Sequence, residues 1–516
     1  MLLSKNITDK IYDRGVFLTT IRTIDEINDK IARGDAVVFT AEEMIKVVEQ
    51  NGVETAAQEV DVVTTGTFGA MCSSGAFFNF GHADPPTKLN KVFLNDVEAY
   101  HGNAAVDCYI GVTQMSRTRP FEYGGGHVIE DLLKGKTIHL EATFNPTDCY
   151  PGQLIDTEIT IDDLNQAILC NPRNAYQRYT CATNSAGSTL YTYMGKLLPN
   201  LQNAIYSGSG CLSPLDNDPS YQTIGIGTRI FLGGGIGYII GEGTQHNPSQ
   251  RLGTIMVKGD LKQMDAKYLQ GAAFTKYGTS MYVGLGIPIP ILNTDLARTT
   301  GMSDEKITTN VADYGKPRNK PTLREVSYAE LKSGKIEING KTVKTSSISS
   351  LKDAREIAAT LKEWIEQGTF FLTQYVERLS TERVFKPMKL TKKEPLVKDV
   401  MKSAATCNLA DSLQDVAKKI IEQNVNHIVV VDAHNHLIGI VTSYDLAKAV
   451  ASNRHELANV VTKKVIVAYP EQSIGEVART LEIHDISAAP VVNLENEVQG
   501  IITSEDISKI VGKVWR

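Results

Sequence analysis

The sequence predicts an α/β protein, with a mixed α+β arrangement left open, in which a large N-terminal domain precedes a smaller tandem α/β module. Three observations predict it. A chain of 516 residues is more than one hydrophobic core ordinarily holds, so two or three domains are expected. The opening segments, up to Thr65, alternate between helical and strand-like periodicity. From Val397 onward the chain repeats itself without gaps at an offset of 61 residues, as from Thr442 to Thr503.

Composition narrows the functional classes. The net charge of −6 offers no basic face, so no nucleic-acid partner is expected. The N-terminal stretch Met1–Asp9 has no apolar core of a signal peptide, and no run of about eighteen apolar residues occurs anywhere. Neither secretion nor a membrane partner is expected, and the cytoplasm is the predicted location. Seven cysteines (72, 108, 149, 170, 181, 211 and 407) form an odd set without a C-x-x-C pair. That usage suits a reducing compartment and gives no zinc-ligand spacing. His82, His101, His139 and His246 stand alone, with no H-x-x-x-H pair, so no metal site is expected. Three separated cysteines meeting around an iron–sulfur cluster stay open.

In chain order, Thr23–Ala32 reads as a capped helix, Asp35–Phe39 as a strand and Ala41–Glu49 as an amphipathic helix. Val60–Thr65 reads as a strand running into Gly66-Thr-Phe-Gly-Ala-Met-Cys72-Ser-Ser-Gly75. Small residues there permit close backbone approach, and a helix following them would aim amides at Cys72 and favour its thiolate. Arg117-Thr-Arg119-Pro-Phe-Glu-Tyr-Gly-Gly-Gly-His127 then precedes a short helix, Val128–Lys134. Glycines ahead of a helix make a nest for an anion, and the guanidinium groups could hold a carboxylate.

Lys136–Phe144 alternates at period two and reads as a strand. Asn145-Pro146 and Pro151-Gly152 break the chain on either side of Cys149, which puts this thiol at the tip of a short loop. Thr157–Asp162 reads as strand and Asp163–Cys170 as a short helix. Phe231-Leu-Gly-Gly-Gly-Ile-Gly-Tyr238 lacks the G-x-G-x-x-G spacing of a dinucleotide site and reads as turns or tight strand packing. Ile336–Val343 is a hairpin around Asn339-Gly340, and Leu351–Gly368 a helix closed by glycine. The domains predicted are 1–385, a linker at 386–396, and two repeat units at 397–455 and 456–516.

Each repeat unit reads helix, strand, turn, strand, helix, ending in Gly439-Ile-Val-Thr-Ser-Tyr-Asp445 and Gly500-Ile-Ile-Thr-Ser-Glu-Asp506. This resembles a tandem CBS-domain pair. The resemblance implies a cleft for an adenosyl ligand, S-adenosylmethionine or an adenine nucleotide, with Thr442, Asp445, Thr503 and Asp506 facing the ribose. The alternative is that each aspartate merely caps its own helix.

Through the Cys72, Arg117–His127 and Cys149 stretches, the preceding residues resemble the homocysteine biosynthesis family, whose members are L-aspartate semialdehyde sulfurtransferases. The resemblance implies catalytic roles for Cys72 and Cys149, with Cys149 favoured as a persulfide carrier. Its outer sulfur would reach the aldehyde carbon of L-aspartate semialdehyde, and reduction would then give homocysteine. A sulfide donor and a separate ferredoxin-like iron–sulfur protein as reductant are the partners implied, with no tightly bound cofactor. Asp148 works against a Cys149 thiolate, so Arg117 or Arg119 would supply compensating charge or hold the substrate carboxylate, and His127 is a further candidate for binding substrate. A homodimer is the expected assembly. Two other readings are a non-enzymatic adenosyl-ligand sensor and a cysteine-dependent dehydrogenase resembling inosine monophosphate dehydrogenase.

Overall fold

The structure is a computed structural model describing residues 22–152, 154–174, 177–389 and 395–514. The stretch Met1–Asp9 and part of the 386–396 linker lie outside the described residues. The chain divides into two compact units, Met1–Lys386 and Pro387–Arg516.

The first unit opens as its periodicity requires. Thr23 and Thr40 each cap a helix through reciprocal bonds with a glutamate three residues on, at Ile24–Arg33 and Ala41–Asn51. The strands Val38–Thr40 and Val62–Thr64 pair in parallel, the strand order of a helical crossover. Beyond them the unit turns antiparallel. A nine-stranded sheet is its centre, with Gln166–Asn174, Gly75–Asn79 and Asp107–Gly111 adjacent at one end. At the other end Gly278–Gly286 pairs with both Leu269–Phe274 and Thr67–Ala70.

A four-stranded sheet carries the hairpin Ile138–Phe144 and Leu154–Ile159, and a six-stranded sheet contains the hairpin around Asn339-Gly340. The helix Gly125–Leu133 buries Val128, Ile129 and Leu132 in the same core as Phe78, Ile110 and Met281. Each such side chain contributes roughly 1.5–3 kcal/mol by leaving water.

Two expectations are corrected. No helix follows Cys72: Gly75–Asn79 is a strand, because Ala76 and Phe78 enter the core while Phe77 points outward. Asp163–Cys170 is likewise mostly strand. Ala167, Leu169 and Asn171 are buried while Gln166 and Ile168 are exposed, a period of two that so short an apolar run conceals. The glycines at Phe231–Tyr238 form the hairpin turn of Arg229–Leu232 with Gly235–Glu242, where Gly233 and Gly234 adopt positive φ.

The second unit holds the two repeats. Leu413–Glu422, His427–Val431, Leu437–Thr442 and Ser443–Ala451 are matched by Ile474–Ile483, Ala488–Val492, Val498–Thr503 and Ser504–Val514. The lead-in to each repeat pairs with the other. Lys402 bridges to Ile501, and Thr462 bridges to Ile440.

Candidate active site

Cys72 sits in the tight turn between Thr67–Ala70 and Gly75–Asn79, closed by the Ser74 amide donating to the Met71 carbonyl at 3.0 Å. The two strands belong to opposite halves of the large sheet, so the turn crosses between them. The half-buried thiol receives a hydrogen bond from Ser280 Oγ at 3.2 Å. Ser73 Oγ donates to Asn171 Oδ1 and to the Arg173 carbonyl, and Asn171 Nδ2 donates to Ser74 Oγ at 2.8 Å. These bonds tie the turn to the end of Gln166–Asn174. Burial pushes the thiol pKa up, while the Ser280 hydroxyl and then the Arg173 guanidinium act the other way. The site therefore stores a protonated thiol beside two groups that stabilise its anion.

Glycine makes this packing possible. A Cβ on Gly126 would lie 2.3 Å from the Ser280 carbonyl oxygen, so only glycine lets the first turn of Gly125–Leu133 rest on that strand. His127 is half-buried in that turn. Its Nδ1 accepts the Gly124 amide at 3.2 Å, and its ring stacks on Tyr123 with centroids 5.3 Å apart. The glycine nest is thus closed by its own histidine.

Arg117 is committed elsewhere. It bonds Asp96, reaches Glu141 at 3.0 Å and lies 3.7 Å above the Phe93 ring. Burial raises the Asp96 carboxyl, and bonds from Thr118 and Arg117 more than offset this, bringing it to about 2. Arg119 is exposed and lies 4.3 Å over the Tyr123 ring. Neither guanidinium is bonded to a cysteine.

Cys149 occupies the loop joining Ile138–Phe144 to Leu154–Ile159. Thr147 and Tyr150 exchange backbone hydrogen bonds at 3.0 Å, which puts Asp148 and exposed Cys149 at the centre of a turn. The Tyr150 ring stacks on His82 at 5.6 Å. His82 follows Asn79, whereas Cys72 precedes Gly75, so the cysteines lie at opposite ends of one strand. Four strand steps alone span on the order of 13 Å.

The residues around Cys72 that sequence reasoning missed are Ser280, Asn171 and Arg173. They come from strands 100 or more positions away in most cases, and only the breaker pattern Asn171-Pro172-Arg173 hinted at a site. In the second unit, Thr442 Oγ1 bonds Asp445 Oδ2 at 2.7 Å, and Thr503 Oγ1 bonds Asp506 Oδ2 at 2.7 Å. Both pairs form capping interactions at their helix starts. The pairs differ in one respect: Asp506 also forms an ion pair with Lys402, and Asp445 forms none among the described residues. No cluster of three His, Cys, Asp or Glu able to hold a metal occurs among the described residues, and no helix there is long and apolar enough to cross a membrane.

A recessed, hydroxyl-bonded thiol on a mixed α/β unit, followed by two copies of one α/β repeat, defines a cysteine-bearing protein with a tandem C-terminal module. Residues 36–372 match the family described as "Homocysteine biosynthesis enzyme, sulfur-incorporation", and residues 397–452 and 457–513 match CBS domains. The chain is 54% identical to an L-aspartate semialdehyde sulfurtransferase of Methanosarcina acetivorans over 95% of its length and 99% of the relative's. It is 52% identical to the enzyme of the same name from Methanocaldococcus jannaschii, again over 95% and 99%. Among solved structures, the CBS domain pair of protein MJ0100 in complex with 5'-methylthioadenosine and S-adenosyl-L-methionine is 39% identical. That match covers 24% of this chain and 99% of the other, with a TM-score of 0.23. The chain belongs to the homocysteine biosynthesis, sulfur-incorporation family, and it is a sulfurtransferase.

Proposed function

We propose that the enzyme inserts sulfur into L-aspartate semialdehyde through a persulfide on Cys72, on the way to L-homocysteine. The observation that carries this choice of cysteine is the 3.2 Å bond from Ser280 Oγ to the Cys72 sulfur in a recessed, polar turn. A persulfide needs shelter from stray thiols and a donor that stabilises the departing thiolate. Ser280 and Arg173 offer both. Cys149 is open to solvent beside Asp148, which suits a thiol that meets a sulfide donor. That exposure favours a second reading in which Cys149 is the carrier.

The outer sulfur adds to the aldehyde carbon as the carbonyl oxygen takes a proton, giving a hydroxyalkyl disulfide. An electron pair and two protons cleave its S–S bond and return the Cys72 thiol. Loss of water leaves a thioaldehyde, and a second electron pair with two protons gives the thiol of homocysteine. The electrons come from a separate reductant, which we assign to a ferredoxin-like iron–sulfur protein. The CBS pair takes an adenosyl ligand at Asp445 and Asp506. S-adenosylmethionine, formed downstream of homocysteine, would then regulate the enzyme if its affinity differs between active and inactive states. The working assembly is a homodimer.

The test is an anaerobic assay of the full chain, first loaded with polysulfide, whose sulfane sulfur passes to a cysteine as the shortened polysulfide leaves, and then given L-aspartate semialdehyde and a strong reductant. Wild type should form homocysteine, Cys72→Ala should lose at least about a thousandfold in rate, and Cys149→Ala should keep measurable activity. A mass gain of one sulfur should map to Cys72. Full activity in Cys72→Ala, or a mass gain only at Cys149, overturns the assignment in favour of the second reading.

A further inference from the structure

The net charge of −6 hides an uneven distribution. Three stretches far apart in sequence, 179–196, 274–280 and 314–320, contain no aspartate or glutamate, yet they carry Lys196, Lys276, Lys316, Arg318 and Lys320. All five cations are exposed. Lys196, Lys316, Arg318 and Lys320 form no ion pair among the described residues.

The fold gathers these stretches around tyrosines. Tyr191 and Tyr193 belong to the hairpin of Leu190–Thr192 with Gly195–Leu197, and Tyr277 to the turn joining Leu269–Phe274 to Gly278–Gly286. Tyr314 lies just beyond the strand Thr308–Asp313. The Tyr193 hydroxyl bonds that of Tyr314 at 2.5 Å and accepts that of Tyr179 at 3.0 Å. Its ring meets Tyr277 with centroids 6.1 Å apart. Lys320 lies 4.4 Å over the Tyr314 ring, Lys276 lies 5.4 Å over that of Tyr191, and Lys196 stands opposite Tyr191 in the hairpin. Burial raises the Tyr314 hydroxyl far above its usual value, so the cluster stays neutral and leaves the cations uncompensated. The patch is also tied to the thiol. Tyr277 leads into Gly278–Gly286, whose Ser280 hydroxyl bonds Cys72, and three residues of strand span on the order of 10 Å.

We propose that this tyrosine-centred basic patch is where the electron carrier docks, a protein presenting an acidic face. The inference rests on the sulfurtransferase reading and adds the surface through which its reductant engages. A chain of net −6 repels an acidic partner at long range, and a local cationic pole then selects the side on which it lands. The tyrosines supply the amphipathic contact that protein interfaces favour at their centres. Electrons delivered there arrive on the strand that carries Ser280, beside the sulfur they must reduce.

The experiment uses the full chain, loaded with polysulfide and given L-aspartate semialdehyde, with electrons from one of two sources. One is a reduced acidic [4Fe–4S] ferredoxin, and the other is titanium(III) citrate, which needs no docking surface. With ferredoxin, kcat/KM of wild type should fall at least about tenfold between about 0.05 and 0.5 M salt. The triple variant Lys316→Glu, Arg318→Glu, Lys320→Glu should raise KM for ferredoxin at least about tenfold and lose most of this salt dependence. Its rate with titanium(III) citrate should be unchanged. The same reversal at exposed Lys463 and Lys464, in the second unit, should leave both rates as in wild type. Calorimetric binding of ferredoxin to the unloaded chain should weaken in the triple variant alone. That readout needs no homocysteine, so it separates failure of this inference from failure of the sulfurtransferase reading. Equal ferredoxin binding and kinetics in the triple variant overturn the inference. So does the absence of ferredoxin binding by wild type, or a preference of the patch for a DNA oligonucleotide.

Discussion

Cys72 is a thiol that burial keeps protonated and that Ser280 and Arg173 prepare to ionise. Removing the hydroxyl with Ser280→Ala leaves burial unopposed by its nearest donor. The pH midpoint for alkylation of Cys72 should move upward, and the rate at pH 8 should fall roughly tenfold, the scale of a hydrogen bond to a charged group. Iodoacetamide kinetics followed by peptide mass checks this. His127 supplies a second test. Burial lowers its pKa below 6.5, and its Nδ1 must stay unprotonated to accept the Gly124 amide. The unfolded chain therefore takes up the proton first, so stability is full above pH 6.5 and is lost as the pH falls through that value. Thermal unfolding of wild type should show this slope between pH 7.5 and 5.5, and His127→Asn, which can keep the cap without titrating, should flatten it. At this scale the sequence was partly legible. Both cysteines stood out by their glycine, serine and proline neighbours, but the ion pairs of Arg117 were not legible, because its partners Asp96 and Glu141 lie 21 and 24 residues away.

The elements around the site owe their positions to close contacts rather than to propensity. Gly126 touches the Ser280 carbonyl, and Gly125 touches that of Gly111, so the glycine run is a packing face as well as a helix start. Gly126→Ala would force the helix off the strand that carries Ser280. It should cost about 1–3 kcal/mol, the usual penalty of overpacking, and slow homocysteine formation together with it. Denaturant unfolding and the anaerobic assay measure the two effects. The helices Ile24–Arg33, Ala41–Asn51 and Leu351–Glu366 could be read directly, because each joins a capping residue to a regular apolar stripe. The strand after Cys72 could not. Gly-Ala-Phe-Phe is too short for periodicity to separate strand from helix, and its partners Asp107–Gly111 and Gln166–Asn174 decide the matter only once folded.

Across the whole molecule, each of the two units has hydrophobic clusters of its own, such as that of Phe78 and Ile110 in the first and that of Val477 and Ile502 in the second. Residues 1–386 expressed alone should therefore fold, keep homocysteine formation within about threefold, and lose any response to S-adenosylmethionine. In the full chain that ligand should meet two unequal places. Asp445 is unencumbered by a cation, whereas Asp506 must first give up Lys402. Titration should resolve a tighter and a weaker step, with Asp445→Ala removing the tighter and Lys402→Ala bringing the two together. The repeat was the most legible part of the sequence, since a motif occurring twice at one offset identifies itself without a partner. The large sheet was the least, because Thr67–Ala70 and its neighbour Gly278–Gly286 lie some two hundred residues apart.

The strand Gly75–Asn79 holds Cys72 and Cys149 apart. A cysteine that accepts sulfur or is oxidised usually relies on a nearby second thiol to resolve it, and a disulfide demands sulfurs about 2 Å apart. Within one protomer Cys149 cannot perform that service for Cys72. Rescue of an oxidised Cys72 would then fall to a thiol other than Cys149.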